Sequence, residues 1–269
     1  MRTARHGWSQ ARRAPGRPRF ASTFVLLLLA CAGYSATLDI SIRHTFNGEP
    51  VELGSMRHQN SAGETFSITR ASYLLSGLAL ERGDGSWLEF TNLVAWMDAE
   101  AGRTVWPVPE VPSEPYRSLR FHVGPDNDAN HGDPAKLPAD HPLNPNLNGL
   151  HWNWQGGYIF LALEGRWAAA DRKLDGFSFH LARDTNRVRI DLAGALDLQR
   201  DTRLELDFDL APLLNAPRPI SFAKDGSSTH SRDGDPLAAS LAANLPGAFR
   251  VRRVMADETT PASIARVKP

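Results

Sequence analysis

Apolar and polar residues alternate from the first residues after the N-terminal segment. Leu38, Ile40 and Ile42 interleave with Asp39, Ser41 and Arg43, a period of two that predicts a half-buried strand with His44 on its apolar face. Asn47-Gly48 closes that strand with turn chemistry, and Pro50 to Leu53 begins a second, short one. Residues 64–70 and 72–82 are rich in β-branched, aromatic and Leu side chains. With Gly83-Asp84-Gly85 as a turn into 86–90, they predict a meander. Residues 93–97 predict another strand. The stretch carrying Pro107, Pro109, Pro112 and Pro115 predicts an extended edge connection rather than a regular element, before a strand at 117–123.

Residues 124–149 form the longest irregular segment, dense in Pro, Asn, Asp and Gly and containing His131 and His141. Ordered loops of that length are usually functional, and this one leads into the densest aromatic stretch of the chain, from Asn148 to Gly165. If 150–163 is extended, Trp152, Trp154 and Gly156 share one face while His151, Asn153 and Gln155 share the other. Gly156-Gly157 breaks strand regularity and predicts a bulge or a close backbone approach. Further on, Phe177, Phe179 and Leu181 alternate with Ser178 and His180, and residues 188–192 and 204–210 read as amphipathic strands. A single helix is predicted at 236–245, with Pro236 in its first turn and Asp235 as N-cap. Nine or ten short strands with one late helix predict an all-β fold, an antiparallel β-sandwich with long loops and one short C-terminal helix, over residues 37–250. Residues 251–269 read as a flexible tail.

The N-terminus changes the meaning of the bulk charge. Arg2, Arg5, Arg12, Arg13, Arg17 and Arg19 precede the apolar run Phe24 to Ala30 with no acid among them, the layout of a secretory signal peptide over residues 1–36. Its apolar core is too short to span a membrane comfortably. Ala30-Cys31-Ala32 offers a small-residue cleavage site and Leu28-Leu29-Ala30-Cys31 a lipobox, so a soluble periplasmic form and a lipid-anchored form are both open. Removing those six arginines from 30 basic residues leaves 24 against 30 acidic ones. A mildly acidic exported domain is a poor nucleic-acid binder. Cys31 is the only cysteine, so a mature domain has neither an internal disulfide nor a thiolate ligand.

No Walker loop, nucleophile elbow, H-E-x-x-H or paired-cysteine zinc motif occurs. Asp126, Asp128, Asn130 and Asp133 offer oxygens but lack the full calcium-loop pattern. What stands out is histidine: eight follow the signal segment, and His44 and His180 lie on strands, which hold ligands rigidly. Imidazole coordination in an oxidising compartment suits copper or zinc.

Several phrases together resemble the methanobactin-associated copper-binding proteins, the MbnP-like family. They are Arg43 to Val51, Gly63 to Arg70 with Tyr73 to Ser76, Phe121 to Gly124 with Asn130, Trp152 to Tyr158 with Leu163-Glu164-Gly165, and Phe179-His180-Leu181. The resemblance runs from about Leu38 to Phe249. It implies an exported β-rich protein, not itself an enzyme and most simply a monomer, that binds copper for capture or transfer. The metal is held by two His and a kynurenine made from a Trp, and the oxidation is done by a partner di-haem cytochrome c peroxidase-like enzyme. Carried onto this chain, His44 and His180 are the first choices for the imidazoles and Trp152 or Trp154 for the oxidised residue, with His151 next and His131 and His230 in reserve. The chain departs from the family where Ala182-Arg183, rather than Gly, follows Phe179-His180-Leu181, and in lacking the multi-cysteine pattern of one branch. Two rival readings stand beside it: a metal-free periplasmic or surface interaction module in which the Trp pair is an aromatic ligand platform, and a copper oxidase with an open coordination position.

Overall fold

The computed structural model describes residues 35–256 apart from 154–155 and 170–172. The signal-peptide reading, Cys31, Trp154 and residues 257–269 therefore lie outside the described residues. Along the chain the strands are β1 (Ser35–Phe46), β2 (Glu49–Pro50), β3 (His58–Gln59), β4 (Thr65–Arg82), β5 (Trp87–Glu89), β6 (Val94–Asp98), β7 (Val105–Pro112) and β8 (Pro115–Val123). Two short helices follow, α1 (Asn127–Asn130) and α2 (Pro145–Asn148), then β9 (Ile159–Ala168), β10 (Leu174–Ala182), β11 (Val188–Asp197) and β12 (Thr202–Asp209). The chain continues through α3 (Leu210–Asn215), α4 (Phe222–Asp225), β13 (Ser228–Thr229), α5 (Pro236–Asn244) and β14 (Phe249–Ala256).

These strands make a two-sheet, sandwich-like all-β fold. The smaller sheet runs β14-β12-β1-β2, with β7 also paired to β1; the larger has nine strands built on the long β4. Both are mixed rather than purely antiparallel, because β1 pairs parallel to β12 and β10 parallel to β13. That departs from the antiparallel expectation, since strand direction depends on long-range crossovers that local alternation does not encode.

One edge of β4 explains where the site lies. β6 pairs with Ser72 to Ser76 without interruption, so β9, paired with Phe66 to Tyr73, and β8, paired with Leu75 to Arg82, share the opposite edge end to end. The segment from Gly124 to Tyr158 leaves between these two collinear strands. Gly124 allows the exit: with φ of 104°, its missing Cβ would sit 2.5 Å from the Phe160 ring. β10 and β11 repeat the arrangement one strand further out, with a 3₁₀ turn at Asp184–Asn186 between them. Two interrupted strand runs thus open a gap in the larger sheet, and the long loop folds over it.

The core between the sheets is aromatic. Phe208 stacks on Phe249 at 4.3 Å, Tyr73 crosses Phe208 at 5.0 Å, and Phe121 meets Phe249 edge-on at 5.3 Å. A second cluster joins Phe66, Phe177, Phe179, Phe222 and Trp167. Alternation along the strands decides which residues take part.

Three expectations are corrected. The proline-rich stretch forms β7, which borders β1 with Pro107 opposite Asp39 and Pro112 opposite Ser35; at a border strand the missing N–H of proline is tolerated. Residues 251–256 belong to β14, paired with β12, rather than to a tail. Between His151 and Tyr158 the chain reverses instead of extending: these two residues form an isolated antiparallel bridge, and the Gly156 N–H bonds to the Trp152 carbonyl. The late helix α5 is as expected, capped by Asp235, whose carboxylate accepts from the N–H groups of Leu237 and Ala238. Among the described residues no helix is long and apolar enough to cross a membrane.

Candidate metal centre

β10 buries Phe177, Phe179 and Leu181 on its inner face, so Ser178 and His180 project from the outer face of the larger sheet. Directly across in β9, Glu164 lies opposite Ser178 and Ala162 opposite His180, and one strand further in Arg70 lies opposite Glu164. Arg70, Glu164, Ser178 and His180 therefore share one patch of one face. The register depends on Gly165. A Cβ there would stand 1.9 Å from the Ser67 carbonyl oxygen and 2.6 Å from Phe177, so only glycine lets β9 approach β4 closely enough to set Glu164 beside Arg70.

The second imidazole arrives through a two-residue strand. Parallel pairing of Ser228 with Ser178 and Thr229 with Phe179 brings the next residue, His230, beside His180, with ring centroids 5.4 Å apart. Ser231 holds the pair together: its hydroxyl donates to the His180 carbonyl at 2.9 Å and accepts from the Ala182 N–H at 3.0 Å. Trp152 completes the group from the loop. Its ring stacks on His230 at 5.7 Å and lies 6.0 Å from His180.

Polar contacts give His180 a definite chemical state. Its Nε2 lies 2.9 Å from Glu164 Oε1 and 3.3 Å from Ser178 Oγ, whereas its Nδ1 is buried with no hydrogen-bond partner. Burial lowers the imidazole pKa from its ordinary value, with Glu164 opposing, which favours the neutral ring. For Glu164 burial works upward, but the bonds from His180 and Arg70 outweigh it and hold the carboxyl below the usual range. A neutral N–H from Nε2 to Glu164 leaves a bare lone pair on Nδ1. Among the described residues no three His, Cys, Asp or Glu side chains converge on a common point suited to a metal ion. Two imidazoles and an indole are what the cluster offers.

Of the residues singled out in the sequence, His180 and Trp152 are brought together, and His230, held only in reserve, joins them. His44 is elsewhere. It packs against Tyr73 and Phe208 between the sheets, with Nε2 3.1 Å from the Tyr73 hydroxyl. His151 turns to Tyr158, at 4.8 Å between rings, and to Asn153. His131 binds Asp184 at 2.7 Å, and Asp184 also accepts from Asn127 and Asn130, tying α1 to the turn after β10. Sequence reasoning gave Glu164 no role beyond its place in the Leu163-Glu164-Gly165 phrase.

Beside Trp152 a cleft of about 270 Å³ is lined by His131, Tyr158, Arg183, Asp184 and Asp233 among others. Trp152 itself is only 9% exposed, which suits a wall better than an open aromatic platform.

A family model described as MbnP matches residues 35–231, from the first residue of β1 to the serine that clips His230 to β10. The chain belongs to the MbnP family. The matched span encloses Trp152, Glu164, His180 and His230. Among solved structures, MbnP from Methylosinus trichosporium superposes with a TM-score of 0.53 at 17% identity, covering 83% of this chain and 99% of that one, a likeness that shows the fold. A search of curated proteins found no match.

Proposed function

We propose that this MbnP-family protein is an exported copper-binding protein that captures or transfers the metal and is not itself a catalyst. The observation that carries this is the buried, unpartnered Nδ1 of His180, on a ring whose centroid lies 5.4 Å from that of His230 and 6.0 Å from that of Trp152. A buried lone pair without a donor is costly in a metal-free protein, and supplying a cation to it removes the cost. Two imidazoles suit copper, and an oxygen- and amine-bearing third ligand would complete a set that intact side chains do not provide. Ring-opening of the Trp152 indole to kynurenine would supply that ligand: two oxygen atoms add as the C2–C3 bond breaks, giving N-formylkynurenine, and hydrolysis then releases C2 as formate, leaving an aniline nitrogen and an aryl ketone. This oxidation needs an external oxidant, and a di-haem cytochrome c peroxidase-like partner is the class of enzyme that would deliver it. Trp154 stays the alternative indole.

Copper titration against a competing chelator, with protein purified from its native host, tests this reading. Tight binding that disappears in His180→Ala and His230→Ala, with peptide mass spectrometry showing one Trp converted to kynurenine, is expected. Intact indoles and no bound copper in the native protein would overturn it and leave a metal-free interaction module.

A further inference from the structure

The network behind His180 bears on which of its ring nitrogens carries the proton. Glu164 is held from the far side by Arg70, whose Nη1 lies 2.9 Å from the same Oε1 that contacts His180 Nε2 at 2.9 Å. Arg70 and Glu164 are cross-strand neighbours on β4 and β9, and His180 stands one strand further out and two residues along from Glu164's direct partner Ser178, so the chain of contacts crosses three strands and ends on a diagonal. Each strand in that chain is fixed in register by its ladder and by the missing Cβ of Gly165. Arg70 is committed to donate, since guanidinium has no acceptor. The carboxylate oxygen between them must therefore accept from His180, which places the imidazole proton on Nε2. The Ser178 hydroxyl, 3.3 Å from the same nitrogen, adds a second polar contact there. Nδ1 has no such partner and is buried.

We infer that Glu164, anchored by Arg70, is a positioning residue that locks His180 in its Nε2–H tautomer and makes Nδ1 the metal-binding nitrogen. The inference rests on the copper reading above for its metal half. The carboxylate–imidazole–metal arrangement is a general one: a carboxylate on one ring nitrogen fixes the ring and raises the basicity of the other. An imidazole that binds through Nε2 instead would have to break the Glu164 contact and rotate within a buried site.

Long-range ¹H–¹⁵N correlation of the imidazole nitrogens in metal-free protein reads the tautomer without copper. Wild type is expected to show a pyrrole-like Nε2 and a pyridine-like Nδ1 at His180. Glu164→Leu is expected to give mixed tautomers and to weaken Cu(I) binding about 10- to 100-fold. Glu164→Gln, whose amide carbonyl can still accept the N–H, is expected to restore the Nε2–H tautomer and most of the affinity. Should Glu164→Leu fail to fold, the wild-type spectrum and the Gln variant still decide the assignment. A protonated Nδ1 in wild type, or a Leu variant unchanged in both tautomer and affinity, would overturn the inference. The expected tautomer in a native protein that binds no copper would sink the copper reading instead, leaving the tautomer control by Glu164 standing.

Discussion

His44 and His180 lie on opposite faces of the larger sheet. Tyr73, which His44 contacts at 3.1 Å, lies opposite Leu161 and through it Leu181, on the face that meets the smaller sheet. The neighbouring residues Ser72, Ala162 and His180 point the other way. A single ion cannot reach both imidazoles, so substitution at the two positions separates binding from stability. His44→Ala should leave copper affinity unchanged while costing about 2–4 kcal/mol, from a cavity and a stranded Tyr73 hydroxyl. His180→Ala should do the reverse. Chelator competition and urea denaturation on the two variants check this, and loss of copper from His44→Ala would contradict the separation.

The same burial makes His44 a source of pH-dependent stability. Desolvation lowers its pKa from 6.5 to about 4, with Asp98 opposing only in part. The unfolded chain takes up a proton that the folded protein resists, so stability falls as pH drops. The contribution is complete above pH 6.5 and is lost progressively down to about 4. A shift of this size corresponds to about 3 kcal/mol. His122, also held at about 4 by burial first and Arg187 next, adds in the same direction. Urea midpoints measured across this range should decline in wild type and decline less in His44→Gln.

Gly165→Ala tests the register that sets Glu164 beside Arg70. With 1.9 Å between the new methyl and the Ser67 carbonyl, β9 has to move off β4. The expected cost is about 3 kcal/mol or more, at the upper end of overpacking effects. Any variant that folds should show a displaced Glu164. Thermal unfolding with wild-type stability would mean that the strands do not approach this closely.

Phe249→Ala tests whether β14 belongs to the domain. Phe249 stacks on Phe208 and meets Phe121 and Tyr73, so its removal opens the centre of the aromatic core. A loss of about 3–5 kcal/mol is expected. Ending the chain at Ala248 should be worse, because it also strips β12 of one of its two partner strands. A folded truncated protein of unchanged stability would make residues 249–256 dispensable.

Two members of the candidate site were singled out by the sequence one residue at a time. Alternation around Phe177, Phe179 and Leu181 already put His180 on a strand face away from the apolar side, and the aromatic density after the long loop drew attention to Trp152. His44 misled for the same reason: sitting on the apolar face of its strand, it is carried into the core beside Tyr73 rather than out to a site. His230 had no local signal. Its place beside His180 depends on two residues pairing parallel to a strand about fifty positions earlier, and so short a strand leaves no periodicity to read.

By itself the sequence determined the strand-rich class, the late helix, the absence of any cysteine after Cys31 and the family phrases that mark the loop and β10. These follow from side-chain period, turn chemistry and composition, which act between near neighbours. The tertiary structure alone decided the parallel pairing of β1 with β12, the incorporation of β7 and β14 into the smaller sheet, and the gap in the larger sheet where β8 and β9 abut. It alone joined Trp152, His180 and His230, set Glu164 between Arg70 and His180, and sent His44 to the other side. Those outcomes depend on which distant strands share an edge and in which register, and a shift of one residue would exchange the two faces of every strand concerned.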